Sequence, residues 1–374
     1  MGAFILLMKT THRIIFGNSN NMSQLPGSSV DLIVTSPPYP MIEMWDNMFF
    51  RQNSDINKAI NDKNGLLAFE LMHKELDAVW NETGRVLKDG GIVCINIGDA
   101  TRTLNGNFAL YPNHARVISH MIKTGFTVLP AILWRKQTNA PNKFMGSGML
   151  PAGAYVTLEH EFILIFRKGT KREFNKEQKI NRRQSSFFWE ERNTWFSDIW
   201  MDLKGTVQTL SDAKVRKRSA AFPFELAYRL VNMFSVKGDT VLDPFLGIGT
   251  TVFAAMAACR NSIGFELEKG FKDLIFSGTE NILSYSNKRI DQRIEKHLDF
   301  TDKRLKEKHK FKHINNYYKF PVVTLQEKEL ILNKLISVKN AGKNIVEVIY
   351  SEDLKNITYK KKVNPGVQST INWG

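Results

Sequence analysis

An α/β fold around a mostly parallel sheet is the architecture predicted by this chain of 374 residues. Three observations point there. From Ile14 to Phe166, short β-branched runs alternate with longer amphipathic stretches, the pattern of strands joined by crossover helices. That rhythm breaks over residues 170–216 and resumes from Phe224 to Glu266. Within the resumed stretch an apolar run enters a turn with two glycines, Gly247 and Gly249, and the next apolar run ends on an acid, Glu266.

Residues 13–17 and 30–34 are short, continuous and β-branched, as buried strands are. Over 66–87, Leu67, Phe69, Leu71, Met72, Leu76, Val79 and Val86 recur at mixed three- and four-residue spacings, which predicts a helix. Lys88-Asp89-Gly90-Gly91 then supplies the basic charge and glycines that suit a helix end and turn. A strand over 92–97 follows, then a helix over 113–124 and strands over 126–134 and 161–166. After the break come a helix (224–234), a strand (240–242), a helix (250–258) and a strand (262–266). Residues 271–312 predict one long charged helix, and 320–374 a small mixed segment without assignable order.

Hydrophobic residues make up 43% of the chain and charged residues 24%, enough apolar material for a large core, which excludes a disordered or fibrous protein. Cys94 and Cys259 lie far apart and match no zinc spacing, so neither a disulfide framework nor a metal site is expected. No apolar run approaches the roughly 18 residues of a membrane span, and a soluble, cytoplasmic protein without membrane or metal is the expectation. The net charge of +15 is concentrated: residues 167–218 carry +7 and residues 286–319 carry +6. Clustered positive charge suits a polyanion, because phosphate contacts release counterions. A solvated lysine-rich face is the competing reading.

Two motifs carry chemistry. In Val241-Leu242-Asp243-Pro244-Phe245-Leu246-Gly247-Ile248-Gly249-Thr250-Thr251, glycines let backbone N–H groups approach a ligand at a helix N-terminus. An acid on the adjacent strand, here Glu266, is where doubly wound folds read ribose hydroxyls. Together they point to an adenosine-bearing cofactor, with an ordinary βα turn as the alternative. The G-K-[ST] element of a P-loop is missing. The second motif, Thr35-Ser36-Pro37-Pro38-Tyr39, directly follows the strand at 30–34. Two prolines stiffen the loop and leave its carbonyls free to accept. Ser36 adds a hydroxyl and Tyr39 an aromatic face, a combination able to hold an exocyclic amine while stacking on its ring.

These two motifs resemble the catalytic and cofactor motifs of the S-adenosylmethionine-dependent DNA amino-methyltransferases. Their order, catalytic motif first, is similar to the β class of that family. Gly17-Asn18-Ser19, residues 85–91, Asn96-Ile97-Gly98-Asp99, residues 159–169 and Ser197-Asp198-Ile199-Trp200 resemble further family segments. The likeness spans about residues 12–285. Arg218 and Ser219 depart from it, standing where the family often has His and Pro.

The resemblance implies a Rossmann-like methyltransferase sheet of seven mostly parallel strands in circularly permuted order. Residues 12–169 would form its catalytic half and 217–285 its cofactor half, with 170–216 a target-recognition insertion and 286–374 a basic C-terminal extension. It implies methyl transfer from S-adenosyl-L-methionine to an amine of a flipped base in double-stranded DNA. Ser36 and the Pro37 carbonyl would accept from the amine, Pro38 would fix the loop and Tyr39 would stack on the base. No strong base or covalent nucleophile is needed for this chemistry, in keeping with the lack of any Cys or His near this loop in sequence. The backbone at Phe245, Gly247, Gly249 and Thr250, flanked by Asp243 and Thr251, would cradle the methionine portion, Glu266 the ribose, and Asn18 and Ser19 the adenine. Ser at position 36 matches the family's cytosine-N4 subgroup; adenine-N6 methylation and a non-catalytic DNA-binding role are the alternatives. A cognate restriction endonuclease would be the functional counterpart. Arg182 and Arg183 are candidates for base reading, and Lys303, Arg304 and Lys306 for phosphate contacts. Trp195 and Trp200 are expected in a small satellite core.

Overall fold

The computed structural model describes residues 8–136, 145–146, 149–204 and 222–351. Its centre is a ten-stranded sheet made of β1 (Lys9–Phe16), β2 (Val30–Thr35), β3 (Leu87–Ile97), β4 (Phe126–Arg135), β5 (His160–Lys168), β6 (Ile199–Trp200), β7 (Thr240–Asp243), β8 (Asn261–Glu266), β9 (Leu335–Gly342) and β10 (Ile345–Tyr350). The spatial order is β6-β4-β5-β3-β2-β7-β8-β1-β10-β9. β3, β2, β7, β8 and β1 are mutually parallel, and β6 runs parallel to β4. β5 is antiparallel to both its neighbours, and β9 and β10 are antiparallel additions at the free edge of β1.

The mostly parallel sheet is therefore present, but the expected count of seven strands is exceeded. The two-residue β6 extends one edge. At the other, Ile345–Tyr350 alternates half-buried and buried residues and pairs with Lys9–Arg13.

The alternation of side chains across the sheet explains the two core layers. Ile33, Val93, Ile95, Leu164 and Leu242 face α3 (Gly65–Val86), meeting Leu76, Val79 and Trp80. Leu32, Val34, Ile163, Ile165 and Val241 face the other way, against Leu226, Leu230 and Val231 of α7 (Phe224–Phe234) and Ala254 and Ala255 of α8 (Thr250–Ala257). The central strands β2 and β7 are buried on both faces, as a parallel sheet covered by helices requires.

The remaining helices are α1 (Asp46–Gln52), α2 (Ser54–Asn61), α4 (Asn113–Lys123), α5 (Lys176–Gln184), α6 (Trp189–Trp195) and α9 (Lys272–Lys306). The long charged helix is α9, unbroken over 35 residues. The expected boundary at 285/286 falls inside it, while the boundary at 216/217, Arg218, Ser219 and residues 352–374 lie outside the described residues. Trp195 and Trp200 are buried, and Phe188 packs with Ile290, Ile294, Tyr318 and Phe320 in a separate small core. No helix among the described residues is long and apolar enough to cross a membrane.

Candidate active site

β2 leads leftward in the sheet to β3, whereas its neighbour β7 leads rightward to β8. The chain reverses its winding between them, and the carboxyl ends of these strands border a crevice at the switch point. Both motifs open there. Thr35 Oγ1 at the end of β2 donates to Asp243 Oδ1 at the end of β7, 2.6 Å away, and Thr251 Oγ1 donates to the Val34 carbonyl at 3.2 Å. Burial pushes the Asp243 carboxyl up to about 6, against the hydrogen bonds it accepts from the Thr35 hydroxyl and the Phe245 N–H.

The crevice holds a cavity of about 580 Å³, within the range of small-molecule sites. Asn18, Ser19, Ser36, Pro38, Phe245, Gly247 and Glu266 all line it. Pro37, Tyr39, Asp243, Gly249, Thr250 and Thr251 do not. Asp243 and Thr251 turn back onto β2, and the Asn18 side chain accepts from the Asn20 N–H at 3.0 Å. Glu266 Oε2 accepts from the Gly247 N–H at 2.7 Å and Oε1 from the Glu268 N–H at 2.8 Å. Burial raises its carboxyl to about 7 in spite of those two donors. The Gly17 N–H reaches the Glu266 carbonyl at 2.9 Å, which carries Asn18 and Ser19 to the same wall.

Gly247 sits at φ +56°, and a Cβ built on it meets nothing within 4 Å. The loop backbone thus borders open space that a side chain would fill. Gly249, at φ +97°, starts α8, and a Cβ there would lie 3.1 Å from Phe253.

Two contributions to the site were not legible locally. Tyr39 Oη donates to Glu161 Oε2 of β5 at 2.9 Å and receives a bond from Asn96 Nδ2 of β3 at 2.9 Å. The local sequence shows no such group beside the loop, because this carboxylate arrives from 122 residues away. Burial and then the Glu161 charge hold the Tyr39 phenol well above its ordinary range. The second is a cavity wall from Met44 to Gln52, with Arg51 paired to Glu268 at 2.7 Å. Among the described residues no cluster of His, Cys, Asp or Glu is placed to hold a metal.

Residues 30–278 match the family described as DNA methylase, whose members are N6 and N4 methyltransferases. The chain belongs to that family. The methylase is 52% identical over 347 residues to the Type II methyltransferase M.MthZI of Methanothermobacter thermautotrophicus, covering 92% of this chain and 96% of that one. It is 50% identical over 292 residues to the Type II methyltransferase M.MjaI of Methanocaldococcus jannaschii, covering 75% and 94%. The S-adenosyl-L-methionine complex of a DNA modification methylase from Thermus thermophilus, given as putative, superposes with a TM-score of 0.56 at 32% identity, covering 73% and 93%.

The basic candidates lie elsewhere on the methylase. Arg172 pairs with Asp239 at 2.7 Å, just before β7, and Asn181 of α5 donates to the Lys237 carbonyl. α5, with the exposed Arg182 and Arg183, is thus at the amino ends of the strands, opposite the crevice. Arg182 stacks over Phe174 at 4.8 Å. α9 leaves the crevice end at Lys272, and the helical rise carries Lys303 about 46 Å along it. Arg304 stacks on Trp189 and Phe300, while Lys303 and Lys306 are exposed. The structure does not bring these five residues to the site.

Proposed function

We propose that the methylase is a site-specific Type II DNA methyltransferase acting on the exocyclic N4 amine of cytosine in duplex DNA, the target base being flipped into the crevice. The observation that carries this reading is the shared cavity: Ser36, Gly247 and Glu266 line one space. The same arrangement supports a permuted order, since the strand β2, proposed as catalytic, precedes β7 and β8 in sequence yet adjoins β7.

The residues present suit S-adenosyl-L-methionine. Glu266 would accept from the ribose, Asn18 and Ser19 would flank the adenine, and the turn at Phe245–Gly247 would take the methionine end, where side-chain-free space already lies against Gly247. Bound there, the cofactor supplies an electrophilic methyl group. The chain's task is to make a poor nucleophile reactive. The amine lone pair is delocalised into the base, and bonds from its N–H groups to Ser36 Oγ and the Pro37 carbonyl favour a pyramidal nitrogen and offset its developing charge. Tyr39 would stack on the flipped ring. Ser at position 36, with the rest of Ser-Pro-Pro-Tyr intact, supports cytosine-N4 over adenine-N6.

With Arg182, Arg183 and the end of α9 remote from the crevice, target contacts fall to segments at its rim. These include the hairpin Ala100–Leu104/Asn107–Tyr111, whose Phe108 stacks on Tyr155 at 4.6 Å. Protection of DNA from a cognate restriction endonuclease is the biological role this activity would serve. Single-molecule sequencing of DNA from cells expressing the chain tests the reading. N4-methylcytosine at one recurring site is the expected result; N6-methyladenine would overturn the cytosine assignment, and unmodified DNA the activity.

A further inference from the structure

The hydrogen bonds around Tyr39 have a determinable direction. Its Oη lies 2.9 Å from Glu161 Oε2, 2.9 Å from Asn96 Nδ2 and 3.1 Å from Ser36 Oγ. A phenol has one proton and two lone pairs. The proton goes to the carboxylate oxygen, which in its ionised form only accepts. The Asn96 N–H fills one lone pair, so the Ser36 hydroxyl must donate into the other. The amide of Asn96 is oriented by the same carboxylate, because Nδ2 also donates to Glu161 Oε2 at 2.7 Å. That orientation leaves Asn96 Oδ1 buried without a partner. Glu161 Oε1 meets Lys136 Nζ at 2.9 Å; the lysine side chain is 47% exposed and the glutamate 13%. The chain of bonds therefore runs Ser36 → Tyr39 → Glu161 and ends near solvent.

We propose that Glu161 is a positioning residue for the reaction: through Tyr39 it fixes Ser36 as an acceptor toward the target amine and takes up the proton that the amine sheds. The proposal rests on the methyltransferase reading. With its own proton committed to Tyr39, Ser36 presents both lone pairs to the incoming N–H. Once the nitrogen lone pair has bonded to the methyl carbon, with the displaced C–S pair left on sulfur, the amine carries a positive charge. One N–H bond then breaks, its electron pair returning to nitrogen. The proton passes to Ser36 Oγ as the Ser36 proton moves to Tyr39 Oη and the Tyr39 proton to Glu161 Oε2. Both hydroxyls end neutral, and one proton has moved from amine to carboxylate, from which it leaves to water beside Lys136. The high phenol pKa suits this role, since the ring passes a proton on without holding a charge.

The test uses the full chain, tritiated S-adenosyl-L-methionine and unmethylated bacteriophage DNA. Glu161→Gln keeps the side chain's size but cannot take up the proton. It should bind cofactor by calorimetry, and DNA by fluorescence anisotropy, as the parent does, while its single-turnover rate falls about 100-fold. Tyr39→Phe should show a similar loss, and the double variant no further loss, because the relay acts as one unit. A parent-like rate in Glu161→Gln, a parallel loss of binding, or a double-variant loss equal to the product of the two would overturn the proposal. Should Glu161→Gln fail to fold, Tyr39→Phe removes the linking hydroxyl alone, and a parent-like rate there would overturn it equally. A parent protein that transfers no label would instead overturn the methyltransferase reading itself.

Discussion

Gly247→Ala separates the cost of backbone strain from the cost of blocking a ligand. The residue holds φ +56°, and alanine in the left-handed region costs about 1–2 kcal/mol. The new Cβ meets nothing within 4 Å, so strain should be the whole folding cost. If the open space belongs to the cofactor, the methyl group takes some of it, and affinity should fall by at least tenfold, or about 1.4 kcal/mol. Gly249→Ala is the control. Its Cβ would lie 3.1 and 3.2 Å from Phe253, on top of a φ of +97°, while Gly249 itself does not line the cavity. It should therefore lose more stability and less cofactor affinity. Urea denaturation gives the first quantity and calorimetry with S-adenosyl-L-methionine the second. A Gly247→Ala protein with the expected stability and undiminished cofactor affinity would refute the placement of the ligand.

Tyr39→Ala should lose base stacking worth about 1–3 kcal/mol, so methylation should drop far more than cofactor binding; unchanged turnover would remove Tyr39 from the site. Because burial raises the Glu266 carboxyl to about 7, cofactor affinity should decline as pH falls through about 7, and Glu266→Gln should flatten that dependence in calorimetry. The same shift has a stability sign: the folded state holds more protons than the unfolded one between about 4.5 and 7, so this contribution weakens as pH rises through that window, and Glu266→Gln should make the urea midpoint vary less across it. Replacing Arg182 and Arg183, or Lys303, Arg304 and Lys306, with Gln should leave discrimination between methylated-site and scrambled duplexes intact; a fall of about 1–3 kcal/mol would restore a base-reading role.

What was legible in the sequence was whatever a short window encodes. β2 and β7 are continuous apolar runs that end in proline- or glycine-marked turns, so Ser36, Gly247 and Glu266 could be placed at strand tips from local pattern alone. Glu161 could not, because its meaning comes from Tyr39, and the register of β5 against β3 sets Glu161 near Asn96. The wall at Met44–Gln52 is a three-residue turn of 3-10 helix and a seven-residue α-helix, too short for a period to show. Charge density marks which segments are basic but not what each cation faces. The basic windows were counted correctly, but Arg172, Arg289 and Arg293 within them are spent on carboxylates inside the protein. Phe188, Trp195 and Trp200 serve packing, the reading the sequence favours for the two tryptophans.

The bond between Thr35 and Asp243 joins residues 208 positions apart. During synthesis at about 5–20 residues per second, β2 leaves the ribosome on the order of ten to forty seconds before β7 does. Throughout that interval its neighbour on one side does not yet exist, and an apolar strand edge stands without a partner. Until β7 and β8 arrive, the nascent chain carries a complete Ser-Pro-Pro-Tyr loop with no wall to hold a methyl donor beside it. A ribosome-bound chain truncated before residue 240 should accordingly be inert toward DNA, and prone to associate through that edge.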